Sequence, residues 1–206
     1  MNFDAYEFVA VIIPGALPTL AASLLIPEVA AVLSTEGVEL GEFGIFLIVS
    51  FVVGHVVHMF GNGIEALEDR LGVGRSSLLF SPNQRPVSPD QWARFEQVLR
   101  ARTNAPRADL SHETWFSTAR EIYSQLNAEG RTRRLDVFTR TYGLCRGMVA
   151  GSLLTSLLIL LLGGLVKWHL ALLVFGLIAV PLYIRMRRFS ALYAGELISQ
   201  YLTLKQ

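Results

Sequence analysis

The sequence predicts an all-α integral membrane protein with four transmembrane helices and a helical cytoplasmic insertion between helices 2 and 3. Three observations carry this. Of 206 residues, 52% are hydrophobic and only 17% charged, against roughly 25% charged in soluble domains. Four apolar runs approach the ~20 residues needed to cross the hydrocarbon core. All 18 Lys and Arg residues lie from Arg70 onward, while the preceding chain holds nine Asp and Glu.

The first run, FVAVIIPGALPTLAASLLI, covers residues 8–26. Acidic Asp4 and Glu7 precede it, so it lacks the basic n-region of a signal peptide. Asp4 and Glu7 have capping-box spacing instead. The second run, FGIFLIVSFVVGHVVHMF, covers 43–60; the third, GMVAGSLLTSLLILLLGGLV, covers 147–166; the fourth, WHLALLVFGLIAVPLYI, covers 168–184. Little more than Lys167 separates the last two. They should form a tight hairpin broken near Gly163-Gly164, where helix propensity falls. The expected organisation is helices 1 and 2 over 1–60, the insertion over 61–146, the hairpin of helices 3 and 4 over 147–184, and an amphipathic tail over 185–206.

Basic residues near span ends set orientation. The insertion holds 13 arginines and ten acids. Five of the arginines, including Arg131, Arg133 and Arg134, cluster beside the third span. Arg185, Arg187 and Arg188 follow the fourth span, whereas the connection over 27–42 has four glutamates and no basic residue. The insertion and both termini are therefore expected in the cytoplasm, in a bacterial inner membrane. The arginines are expected to touch lipid headgroups or a partner. The insertion's net charge of +3 is too mild for a direct nucleic-acid footprint.

Within the insertion, Ser88-Pro89-Asp90-Gln91 is a helix start with Pro at N1 and Gln at N3. Trp92, Phe95 and Leu99 share a face of that helix. A second helix from about Ser111 carries Trp115, Ala119, Ile122, Tyr123 and Leu126, with Gly130 as its C′ residue. A third runs from about Thr132 through Leu135, Phe138 and Tyr142 into the third span. Residues 72–89 read as a loop. In the tail, Phe189, Leu192, Tyr193, Leu197, Tyr201 and Leu204 form one apolar face, to lie at the interface or dock on the insertion.

Chemical signatures are few. GVGRSS at 72–77 lacks the phosphate-loop pattern, and RADLSH at 107–112 gives one Arg and one His without the context of a positioned base. Cys145 is the sole cysteine, so no internal disulfide forms. No Asp, Glu, Lys or Arg falls inside the four runs, which argues against a carboxylate-driven pump. No bound cofactor is expected. Pro14, Gly15 and Pro18 should kink the first span, because proline removes a backbone donor. Gly147, Gly151, Ser152 and Ser156 form a small-residue packing seam, as do Gly15, Thr19 and Ser23.

The second span carries the most suggestive stripe. At about 100° per residue, Gly44, Ile48, Phe51, His55, His58, Asn62, Glu65 and Asp69 share one arc. By helical rise, His55 lies only ~8 Å from Phe60 at the inner end. His55, His58, Asn62 and Glu65 are therefore candidates for a polar vestibule or interface. A metal site on His55 and His58 would need ligands from another helix, since zinc takes three or four.

NFDAYEFVAVIIPG at 2–15 resembles the F-D-x-Y…P-G opening of small polytopic bacterial inner-membrane proteins. FVVGHVVHMFGN at 51–62 resembles the G-H-x5-G second span of the same class. Several such proteins are similar to membrane components of anti-phage systems, including four-span partners of the Kiwa type. The resemblance covers about 60 residues and assigns no functional residue. It implies a defence-linked membrane role, and together with the stripe suggests a non-enzymatic homo-oligomer that perturbs or opens the membrane under control of the insertion and a cytosolic protein partner. The alternatives are a non-conducting scaffold recruiting a cytosolic effector, and a membrane-embedded metal-dependent enzyme using His55 and His58.

Overall fold

A computed structural model describes residues 5–33, 41–71, 86–104 and 112–204. Helices α1 (Ala5–Leu25), α2 (Pro27–Leu33) and α3 (Gly41–Arg70) are followed by α4 (Pro89–Thr103), α5 (His112–Ala128) and α6 (Arg133–Gly163). The last helix, α7, is a continuous run over Trp168–Leu204. No strand occurs among the described residues. Four helices are long and apolar enough to span a membrane: α1, α3, α6 and α7. Much of their apolar surface faces outward, with Leu24, Phe43, Leu161 and Leu177 each about 70% exposed. Water would penalise that surface, whereas lipid accepts it.

Local chemistry explains the boundaries. Ser88 accepts the Gln91 backbone N–H at 3.3 Å, and the Gln91 side chain accepts the Ser88 N–H at 3.2 Å. That is the reciprocal capping box expected of this sequence. Gly130 has a positive φ of 71°. Its N–H reaches Asn127 O at 3.0 Å, and Arg131 N–H reaches Leu126 O at 2.9 Å. These two bonds are the Schellman closure of α5. α6 ends at Gly163, three residues before the expected limit of the third span. Gly164 takes a left-handed φ of 62°, and a single 3₁₀ turn over Leu165–Lys167 leads into α7. Within α7, a π turn over Phe175–Ala179 ends two residues before Pro181. The wider turn suits the ring, which would crowd an ordinary α turn.

The chain divides into two compact units: Met1–Ile64 with Gly143–Met186, and Glu65–Tyr142 with Arg187–Gln206. Helices α3, α6 and α7 contribute residues to both. The second unit has a core of its own. Trp92, Phe95 and Leu99 of α4 meet Ile122 and Leu126 of α5, Leu135 of α6, and Ala194, Leu197, Ile198, Tyr201 and Leu202 of α7. The tail thus docks on the insertion. Leu197 and Tyr201 lie in the core, while Leu192 of the same expected face stays exposed. Arg102 ties α4 to Glu121 and Gln125 of α5 and to the Tyr201 hydroxyl at 3.0 Å. Several sequence motifs lie outside the described residues: Asp4 of the expected capping box, GVGRSS, the loop through residue 85, and residues 107–111 of RADLSH.

Candidate functional site

The site lies in the first unit, where α1, α3 and α6 meet around Pro14. A proline at position 14 leaves the Ala10 carbonyl without its helical donor, and Pro18 does the same to the Pro14 carbonyl. In lipid such groups need other partners. α1 nonetheless runs unbroken through both prolines, and α3 supplies a partner for the first of the two carbonyls. His58 Nε2 lies 3.1 Å from Ala10 O. A carbonyl only accepts, so His58 carries its proton on Nε2 and donates. The Pro14 carbonyl faces Gly151 of α6, where a Cβ would lie 2.5 Å from the oxygen. The Gly15 carbonyl accepts the Thr19 hydroxyl at 2.8 Å.

Glycine makes this approach possible. A Cβ on Gly15 would overlap the Ser50 carbonyl and the Gly54 backbone, and one on Gly54 would overlap the Val11 carbonyl. A Cβ on Gly147 would come within 3.0 Å of both the Pro14 ring and the His58 imidazole. Of the residues expected in a seam on α6, Gly147 and Gly151 lie against Pro14 of α1. Ser152 donates within its helix to Met148 O at 2.7 Å, and Ser156 donates across the hairpin to Ala171 O at 3.1 Å.

The polar stripe of α3 splits along its length. Ser50, Gly54, Val57 and Gly61 are buried, and at about 100° per residue they centre roughly 100° away from the middle of the stripe. His58 and Glu65, on the edge nearest that seam, are half-buried. His55 and Asn62 are exposed, on one face with Ile48, Val52 and Met59. His55 sits edge-on to Phe51, centroids 4.7 Å apart, and Phe51 contacts Phe8 of α1. The two histidines thus point to different surroundings, and no group of three His, Cys, Asp or Glu among the described residues could hold a metal ion. The S-x3-G-x2-V-x3-G spacing over Ser50–Gly61 is the sequence signal of this buried seam, beside the polar stripe. One turn further along α3, Arg146 of α6 lies over Gly61.

Of the arginines expected at headgroups or a partner, Arg131 donates to Thr203 at 2.9 Å and Arg134 pairs with Glu196 at 3.4 Å. Arg133, Arg185 and Arg188 are exposed, and Arg187 is half-buried. Beyond the span ends, Tyr123 donates its hydroxyl to Asp136 at 2.6 Å. That bond to a carboxylate, with burial second, holds the Tyr123 phenol above its usual range.

No protein-family model matches the chain, and searches of curated proteins and of solved structures return no match.

Proposed function

We propose that the chain is a non-enzymatic, homo-oligomeric membrane protein of the bacterial inner membrane. Its cytoplasmic helical unit takes a signal from a protein partner, and its spans respond by perturbing or opening the bilayer. One observation supports this above others: His55 and Asn62, seven residues apart, stand on the outward face of α3. Polar groups in membrane helices nearly always face other protein or water. His55 lies within the second apolar run and, among the described residues, packs only on Phe51 of its own helix, so a second copy or an aqueous path is its natural surrounding. Three helices contribute to both units, which gives the cytoplasmic unit a covalent route to the spans. The anti-phage setting rests on the resemblance of the first 60 residues alone.

The test is disulfide trapping in native membranes. Val52→Cys and Met59→Cys should trap dimers. Val57→Cys in the buried seam and Leu161→Cys on another exposed face should not. Dimers absent from both α3 variants, or equally abundant for Leu161→Cys, would remove the oligomer from the proposal. A membrane potential that stays intact on expression together with the partner would remove the permeability.

A further inference from the structure

The second unit carries a groove of about 350 Å³ between α7, the start of α4 and the start of α6. Its walls include Gln91, Arg134, Phe138, Arg188, Leu192 and Glu196. The two guanidiniums differ in how they are occupied. Arg134 is engaged, paired with Glu196 and set over the Phe138 ring at 6.0 Å. Arg188 is exposed and makes no hydrogen bond or ion pair with any described residue. Among the described residues the groove therefore offers an uncommitted cation beside an apolar wall, with exposed Leu192 at its rim.

We infer that this groove binds the headgroup of an anionic phospholipid, with Arg188 holding the phosphate. Position and charge argue together. Arg188 follows Ile184, the last apolar residue of the fourth span, by one helical turn, a rise of ~6 Å. The headgroup layer on each side of the hydrocarbon core is ~5–7 Å thick, so Arg188 stands at phosphate depth. Arginine's planar fork matches phosphate geometry in two hydrogen bonds. Phe138 and Leu192 suit the glycerol and upper acyl carbons. The inference rests on the membrane-spanning reading of α7, but on neither the oligomer nor the permeability.

The test uses the full chain purified in mild detergent, with bound lipid counted by native mass spectrometry. Dioleoyl phosphatidylglycerol should be retained in preference to dioleoyl phosphatidylcholine. Arg188→Gln should lower phosphatidylglycerol retention about fivefold, the effect of one surface arginine on anionic lipid. Arg134→Gln, which leaves Arg188 in place, should lower it less. Arg131→Gln should leave it unchanged, because that guanidinium is bonded to Thr203 outside the groove. Equal retention of the two lipids, or equal losses in Arg131→Gln and Arg188→Gln, would overturn the inference. Displacement of phosphatidylglycerol by millimolar inorganic phosphate would also overturn it and assign the groove to a soluble phosphoester. Because retention is read in detergent on single copies, failure here leaves the disulfide-trapping result standing.

Discussion

His58 donates to the carbonyl of Ala10 across 3.1 Å and 48 residues of sequence, and that carbonyl is the one Pro14 deprives of its helical donor. The imidazole stands in for a backbone N–H, so a proline is accommodated inside a helix apolar enough to span a membrane without leaving the Ala10 carbonyl bare.

Replacing His58 with Leu should destabilise the first unit by about 1–2 kcal/mol, the upper part of what interhelical hydrogen bonds contribute in membranes. Pro14→Ala restores the N–H that Ala10 lost. In that background His58→Leu should cost less than half as much, because the carbonyl already has a partner. Unfolding of the four variants in detergent measures the coupling; additive losses would mean that His58 acts only through packing.

Gly151→Ala should cost more than ~2 kcal/mol, because its Cβ meets the Pro14 carbonyl at 2.5 Å and two helix backbones must separate. Gly63→Ala is the matched control on α3. Nothing lies within 4 Å of its Cβ, so the gain in helix propensity should stabilise by about 0.5–1 kcal/mol. Thermal unfolding of the two variants should shift in opposite directions.

The Tyr123–Asp136 bond predicts a pH dependence in the second unit. Its neutral hydroxyl is the donor, and folding raises the phenol above its ordinary value of 10.0. The stabilisation is therefore complete below pH 10 and lost as pH rises through the higher folded value. Tyr123 is half-buried, so solvent screens the bond to about 1 kcal/mol. Tyr123→Phe should be less stable than wild type at neutral pH, and the difference should vanish in alkali. A constant difference up to pH 12 would contradict the assignment.

Leu197 lies at 1% exposure in the second unit's core. Leu197→Ala should cost about 2–5 kcal/mol through lost burial and the cavity left behind. Limited proteolysis should then cut α4 and α5, whose apolar faces lose their cover. Leu192→Ala, on the exposed side of the same helix, should leave the digestion pattern unchanged.

Local chemistry made much of the fold legible from residue types alone. The four apolar runs, the Ser88 capping box, the Gly130 closure and the hairpin break at Gly163-Gly164 each depend on a few neighbouring residues and the solvent they meet. The site was less legible. Pro14, Gly147 and Gly151 were recognisable as special, and His58 as polar at depth, but their meeting was not. A periodic stripe fixes an azimuth on one helix and says nothing of what stands opposite. Only the positions of α1 and α6 decided that His58 turns inward to a freed carbonyl while His55 and Asn62 turn out. The tail shows the same division: its apolar face was evident in sequence, but interface and docking were equally open. Tertiary structure settled that choice because burial against Trp92, Phe95 and Leu126 depends on partners roughly 70 to 110 residues away, beyond the reach of any local pattern.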